Sequence, residues 1–260
     1  MASMRITLMT GADGAPFALR LAAELGPDDE LTVVAPTVRD HWSAWLKASP
    51  DLDALLGPFD TAPSYAVAEQ LRTIQYSPAW QRTSDQAVAH RLVRTELIGT
   101  GFTLSDATRA AATRAGLPFA LLPMSDDRAE LHVVVGGDEP RAIHVDEYLA
   151  DPAAFVPSET ILVAEAWGVS PTTAAALAQS DVLVIGPSSR TLAIDPVLRT
   201  PGLVEALPDG LVVLAVDHTD TAPAELITVA GSGADDPAGT RSVAADPSAV
   251  IDLARRAVVR

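Results

Sequence analysis

Cysteine is absent from the 260-residue sequence. This excludes disulfide bonds, thiolate nucleophiles and cysteine-ligated zinc or iron–sulfur centres. Aromatic residues make up only 5% of the chain, and its apolar runs fall short of the roughly 18 residues that a membrane-spanning helix needs. We therefore expect no membrane segment.

Basic residues are also scarce, with 18 Lys and Arg against 34 Asp and Glu and a net charge of -16. Nucleic acids and anionic lipids bind proteins that carry a basic surface. This balance therefore opposes both kinds of partner and favours a small molecule or a protein. The amino terminus lacks the pattern of a secretion signal, so the expected location is the cytoplasm.

Short apolar runs alternate with helix-like segments along the chain, as in parallel sheets that are covered by helices on both faces. The predicted strands are Met4–Met9, Leu31–Ala35, Phe119–Leu122, His132–Val135, Thr160–Val163, Asp181–Ile185 and Leu211–Val216. The predicted helices are Pro16–Leu25, Glu69–Ile74, Asp85–Gly99, Ser105–Ala115, Pro171–Gln179 and Pro247–Val259. Ser105 is the expected cap of its helix.

This alternation predicts an α/β fold, a Rossmann-like three-layer sandwich with a mostly parallel sheet. We expect one domain over residues 1–260, with a helical insert at about 50–116 and a loop-rich tail from about 230. Ligands of such folds bind beyond the carboxyl ends of the strands. The sequence has no Gly-x-Gly-x-x-Gly motif, which opposes a dinucleotide-dependent dehydrogenase.

Several polar segments lie at predicted strand ends. Gly11 and Gly14 follow the first strand, where backbone amides can hold a phosphate, although two glycines at this spacing are a weak signal. Asp40, Asp51 and Asp53 follow the second strand. Carboxylates are suitable Mg²⁺ ligands. However, Ser49-Pro50-Asp51 is also a normal start of a helix, and the spacing alone favours this structural role over a metal site.

Two later strands end in further polar groups. These are Ser125, Asp126 and Asp127 after one strand, and Pro187, Ser188, Ser189 and Arg190 after another. Arg190 is suited either to a phosphate or to a surface salt bridge. The histidines lack zinc-ligand spacing, and a structural role is favoured for those in or beside strands. They are His41, His90, His132, His144 and His218.

At these segments the chain resembles the 2-phospho-L-lactate transferase family, called CofD or FbiA. The best matches are Leu92–Leu97, Gly101–Thr108 and Leu121–Arg128, and further matches are Ser49–Asp53, Ala142–His144, Gly186–Ser189 and Ile194–Leu198. The resemblance implies transfer of a phospholactyl or phosphoenolpyruvyl group from a guanosine diphosphate-activated donor to the deazaflavin Fo, in coenzyme F420 biosynthesis. It also implies Mg²⁺ and is compatible with a homodimer.

The resemblance assigns roles to individual residues. Asp51 and Asp53 are the expected catalytic residues, and together with Asp40 they are the expected metal ligands. The expected substrate-binding residues are Gly11, Gly14, Arg94, Ser125, Asp126, Asp127, Pro187, Ser188, Ser189 and Arg190.

The polar loops depart from the family pattern more than the scaffold does. Arg39 stands where the family has an acid, and Val216–Asp220 replaces a Ser-Pro-Ile-x-Gly loop. Two hypotheses follow. One is an active transferase in which Arg39 or Arg190 does part of the electrostatic work of the metal. The other is a catalytically silent member that binds a nucleotide or deazaflavin, or serves as a partner subunit.

Overall fold

The structure, a computed structural model, describes residues 3–57, 61–76, 80–217, 220–230 and 234–258. His218 lies outside the described residues. The strands are β1 (Arg5–Met9), β2 (Glu30–Ala35), β3 (His41–Ser43), β4 (Leu46–Ala48), β5 (Ala120–Pro123), β6 (Ala129–Val135), β7 (Arg141–His144), β8 (Pro157–Ala164), β9 (Val182–Ile185), β10 (Val212–Val216) and β11 (Arg241–Val243).

Helices connect these strands and cover them. They are α1 (Ala15–Glu24), α2 (Pro50–Leu56), α3 (Ala66–Thr73), α4 (Asp85–Gly99), α5 (Leu104–Ala115), α6 (Val145–Ala150), α7 (Pro171–Ala178), α8 (Asp195–Leu198), α9 (Leu203–Ala206), α10 (Ala224–Ala230) and α11 (Pro247–Val258). A π-helical turn, Arg190–Ile194, leads directly into α8.

The central sheet has six parallel strands in the order β11-β10-β9-β1-β2-β5. Numbered along the chain within this sheet, the order is that of the Rossmann fold, with the reversal between β1 and β9. The predicted α/β class and parallel sheet are confirmed. β11 extends the sheet within the tail for which the sequence analysis predicted loops.

Two apolar layers enclose this sheet, because the side chains of a strand alternate between its faces. Ile6 and Leu8 of β1 belong to a core cluster that includes Phe17 of α1 and Val250 of α11. Met9 of the same strand belongs to a cluster on the other side, formed with α7 and α8 among others. The three-layer arrangement is therefore built by the alternation within single strands.

Two of the predicted strands lie outside the central parallel sheet. β6 pairs antiparallel with both β7 and β8 in a separate three-stranded sheet. β3 and β4 form a further antiparallel hairpin. A run of buried apolar residues does not show whether the strand beside it is parallel or antiparallel. The sequence therefore could not distinguish the two kinds of pairing.

The helices between β4 and β5 show how local sequence sets their bounds. α4 begins at the predicted Asp85 because the Ser84 side chain accepts a hydrogen bond from the Ala87 amide. The predicted cap of α5 is wrong: the cap is Thr103, which forms a reciprocal capping box with Asp106, and Ser105 lies inside the helix.

In the described part of the chain, none of the helices combines the length and the apolar character that a membrane-spanning helix requires.

Candidate active site

The loops that follow β1 and β9 meet at the carboxyl edge of the sheet. Thr10 Oγ1 donates a hydrogen bond to the Pro187 carbonyl oxygen at 2.8 Å, and the Gly11 amide donates to Ser188 Oγ at 3.1 Å. The strand order reverses between these two strands, which is where ligands of open α/β sheets bind. The structure therefore brings together two of the segments that the sequence predicted to bind substrate.

Gly11 and Gly14 permit this close approach. A Cβ atom on Gly14 would lie 1.8 Å from Thr10 Oγ1 and 2.5 Å from the Pro187 carbonyl oxygen. A Cβ atom on Gly11 would lie 2.8 Å from Asp51 Oδ1. Gly11 is therefore explained by the close approach of α2, and Gly14 by the packing of the β1 loop against the β9 loop, whatever ligand they also contact.

The amides of the first turn bind groups of the protein itself. The Ala12 amide donates to Asp51 Oδ1 at 2.8 Å, while Ser188 accepts from the Gly11 amide. Gly14 donates to the Gly11 carbonyl oxygen. A phosphate that used the first two amides would have to displace Asp51 and Ser188.

Asp51 lies in the first turn of α2 and is only 2% exposed. Its Oδ1 atom accepts from Ala12 and lies 3.6 Å from Arg39 Nη1, whereas Oδ2 has no hydrogen-bond partner among the described residues. Burial raises the pKa of Asp51 from 3.8 to about 6, although Arg39 and the Ala12 amide oppose the shift. Asp51 is thus a buried carboxylate with one available oxygen.

This raised pKa gives Asp51 a defined effect on stability. Between pH 3.8 and about 6 the folded chain binds the Asp51 proton more tightly than the unfolded chain, so lowering the pH through this window stabilises the fold. Asp51→Asn removes this titration. We expect the variant to be more stable than the wild type at pH 7, by roughly 1–3 kcal/mol, and the difference to shrink toward pH 4. Urea unfolding at several pH values measures it, and a difference independent of pH would contradict it.

Arg39 links Asp51 to Asp146, in the first turn of α6. Its Nη2 and Nε atoms lie 2.7 and 2.9 Å from Asp146 Oδ1. Burial acts to lower the pKa of Arg39, but Asp51 and Asp146 outweigh it and the pKa is raised. The guanidinium is therefore a fixed positive charge beside the meeting point of the two loops.

Asp40 is paired with its own cation. Ser49 Oγ donates to Asp40 Oδ2 at 2.7 Å, and Lys47 Nζ lies 3.2 Å from the same oxygen. Burial raises the pKa of Asp40, although Lys47 and Ser49 oppose the shift. Asp40 is thus engaged within the chain, behind the loop that carries Arg39.

Asp53 binds two buried arginines of α4. Arg91 Nε donates to Oδ2 at 2.9 Å, and Arg94 Nη2 donates to Oδ1 at 2.7 Å. Arg94 also donates to the Lys47 carbonyl oxygen at 3.2 Å. Both carboxylate oxygens of Asp53 are therefore occupied, and Arg94, which was predicted to bind substrate, holds α4 to α2.

The polar group after β5 lies two strands away from β1. Ser125 Oγ accepts a hydrogen bond from the Asp127 amide at 3.1 Å. Asp126 Oδ1 accepts from the Ser105 amide at 2.7 Å and so ties this loop to α5. The Asp127 side chain is exposed at the same edge. A substrate that reaches from β1 to β5 would contact both groups.

Ser189 and Arg190 are engaged with carboxylates of later segments. Ser189 Oγ donates to Asp220 Oδ1 at 2.5 Å. Arg190 lies 2.9 Å from Asp195 and 2.7 Å from Asp236. For Arg190 the structure therefore shows the salt-bridge alternative, while its predicted role toward substrate stays a prediction.

These contacts decide which carboxylates fit Mg²⁺. This ion is commonly held by one or two carboxylates together with substrate phosphates. Asp51 fits as such a ligand, because its Oδ2 atom is buried and none of the residues that the structure describes bonds to it. The oxygens of Asp53 already bind cationic side chains, as does Oδ2 of Asp40. Their predicted metal ligation stays a prediction.

One cluster beside Arg39 was not predicted from the sequence. His41, His144 and Asp146 each offer a metal-ligand atom, and these atoms lie within 4.8 Å of one another. Burial lowers the pKa of His144 to about 4, so this imidazole is neutral near pH 7. His41 and His144 are far apart in the sequence, and only the tertiary fold brings them together.

Comparison with known proteins extends over most of these elements. A family model described as 2-phospho-L-lactate transferase CofD matches residues 6–230. A phosphoenolpyruvate transferase of Streptomyces griseus subsp. griseus is 34% identical over 218 residues, covering 78% of this chain and 69% of that protein. Its counterpart in Mycobacterium leprae is 32% identical over 235 residues, covering 78% of this chain and 71% of that protein.

The fold of this chain is similar to that of solved structures. A protein of the UPF0052 family from Bacillus halodurans has a TM-score of 0.59 and 16% identity, covering 88% of this chain and 76% of that chain. At this identity the similarity concerns the fold alone.

Proposed function

Since the chain belongs to the 2-phospho-L-lactate transferase CofD family, we propose that it transfers a phospholactyl or phosphoenolpyruvyl group to a small-molecule acceptor in coenzyme F420 biosynthesis. Family membership makes the chain a transferase, as the sequence predicted. The observation that carries the proposal is the meeting of the β1 and β9 loops around Asp51, at the point where the sheet order reverses.

The proposed donor is the three-carbon acid joined to guanosine diphosphate, and the proposed acceptor is the terminal hydroxyl of Fo. In this transfer the hydroxyl oxygen forms a bond to phosphorus, the bond between that phosphorus and GMP breaks, and the hydroxyl proton is released. The protein must hold acceptor, phosphorus and leaving group in line. The donor and Fo together are long. The edge of the sheet that suits them extends from the β1 and β9 loops to the polar group after β5.

Asp51 is the residue that we propose to hold Mg²⁺, through its Oδ2 atom, which has no hydrogen-bond partner in the described part of the chain. When bound, Mg²⁺ neutralises the charge that develops on the diphosphate. Asp51 binds a cation better when ionised, and its pKa of about 6 keeps it mainly ionised at neutral pH. Arg39, 3.6 Å from Asp51, supplies a second positive charge at the same edge.

The homodimer that is compatible with the resemblance stays a prediction. The cytoplasmic location stays a prediction, as does the exclusion of nucleic acid that the net charge favours.

The proposal is tested by incubating the purified chain with the guanosine diphosphate-activated acid, Fo and Mg²⁺. We expect equal amounts of GMP and of the deazaflavin that carries the phospholactyl or phosphoenolpyruvyl group, both identified by mass spectrometry, and neither product when Fo or the donor is omitted. Calorimetric titration of GDP and Fo in parallel separates binding from turnover. Binding of either ligand without product would instead support the silent family member.

A further inference from the structure

Three side chains outside the proposed transfer site converge next to Arg39. His41 begins β3, His144 ends β7, and Asp146 lies in the first turn of α6. The His41 and His144 ring centroids are 4.6 Å apart, and His41 Nδ1 lies 3.9 Å from Asp146 Oδ2. Taking one ligand atom from each, all the distances are within 4.8 Å.

We propose that His41, His144 and Asp146 form a binding site for a divalent transition-metal ion of the zinc class. Two imidazoles and one carboxylate suit Zn²⁺ and Co²⁺, whereas Mg²⁺ prefers a sphere of oxygen atoms only. Three protein ligands leave a coordination position open for water or a substrate oxygen. Ligand bonds of about 2.0–2.2 Å require the three side chains to move closer together by a small amount.

Arg39 contacts two of the three side chains, Asp146 and His41, from outside the proposed site. Arg39 binds Oδ1 of Asp146 and leaves Oδ2 on the side of His41. The Arg39 carbonyl oxygen lies 3.1 Å from His41 Nδ1 and orients that ring. Outer contacts of this kind fix the direction of ligating carboxylates and imidazoles.

His144 supplies the observation that points to a missing partner. Its Nδ1 atom accepts a hydrogen bond from the Asp146 amide at 3.1 Å, while Nε2 is buried and has no partner among the described residues. A buried polar atom of this kind is normally paired. Metal binding at Nε2 requires the ring proton to move to Nδ1, which breaks the hydrogen bond from the Asp146 amide, so this helix cap is lost when the ion binds.

The surroundings carry charges of both signs. His41 and His144 line a cavity of about 340 Å³, whose wall also contains Glu147 and the ion pair between Glu130 and Arg128. Because Arg39 joins Asp146 to Asp51, a bound ion would lie beside the proposed transfer site. Metal binding here does not depend on the transfer reaction, and it is measurable without donor or Fo.

The test uses the tag-free full-length chain, first stripped with a chelator. Calorimetry with Zn²⁺ and visible absorption with Co²⁺ are expected to show one ion per chain, with the d–d bands of a four- or five-coordinate site. Excess Mg²⁺ is expected to leave the Co²⁺ spectrum unchanged. His41→Ala, His144→Ala and Asp146→Asn are each expected to weaken binding by about a hundredfold or more.

His132→Gln is the matched control. The His132 ring lies 5.6 Å from that of His144 but is outside the ligand set, so this variant is expected to bind the ion like the wild type. Circular dichroism of each variant identifies any that fails to fold, and the wild-type titration stands without them. The proposal is overturned if the wild type binds no stoichiometric ion, if folded ligand variants bind normally, or if His132→Gln abolishes binding.

Discussion

Asp53→Asn is expected to lower the free energy of unfolding by about 3–5 kcal/mol. Asp53 bonds Arg91 and Arg94, which are 8% and 4% exposed. The substitution keeps the size of the side chain but removes the charge, which leaves two buried guanidinium groups uncompensated. Urea denaturation at neutral pH, followed by circular dichroism, measures the loss.

Glu69→Gln is the control for this prediction. Glu69 pairs with Arg72 on the surface of α3, where the two side chains are 49% and 74% exposed, and such pairs contribute at most about 1 kcal/mol. The two substitutions make the same chemical change in opposite environments. An equally small effect of Asp53→Asn would show that Arg91 and Arg94 are not held by Asp53 as the structure indicates.

Asp51→Asn is expected to reduce kcat/KM for the proposed transfer by at least about a hundredfold. An amide oxygen binds Mg²⁺ more weakly than a carboxylate, and substitutions even around metal ligands commonly cost ten- to a hundredfold. The Mg²⁺ concentration that gives half-maximal activity is expected to rise as well. Steady-state kinetics over a range of Mg²⁺ concentrations measure both effects.

The control is Asp138→Asn, in the exposed turn between β6 and β7. It makes the same change at an exposed position that is not among the residues of the proposed site, and kcat/KM is expected to stay at the wild-type value. If Asp51→Asn kept both wild-type kcat/KM and wild-type Mg²⁺ dependence, Asp51 would serve only to attach α2 to the first turn.

The scaffold was largely predictable because its signals are local. α4 begins at Asp85 and ends at Gly99, as predicted, because a capping serine precedes the helix and its composition is helical throughout. The apolar runs of β1, β2 and β9 were found because strands buried on both faces have a continuous apolar pattern. β3 and β11 were missed, since strands of three residues carry too little pattern to detect.

The position of the candidate site on the sheet was easier to predict than the contacts that its side chains make. Gly11 and Ser188 were expected at one edge, because parallel strands end together and ligands bind where the order reverses. The partners of Asp53 depend on how α4 packs against α2, and no spacing in the sequence encodes that. The same holds for His41 and His144, whose approach requires β3 and β7 to be placed by the whole fold.

The position of β1 at the centre of the sheet also determines the order in which this chain can fold during synthesis. β1 can pair with β2 once the chain as far as Ala35 has left the ribosome, but its other neighbour, β9, is made only at residues 182–185. Translation at about 5–20 residues per second separates the two events by many seconds. Throughout that interval the nascent polypeptide presents an open strand edge of apolar residues, the type of surface that chaperones must shield from aggregation.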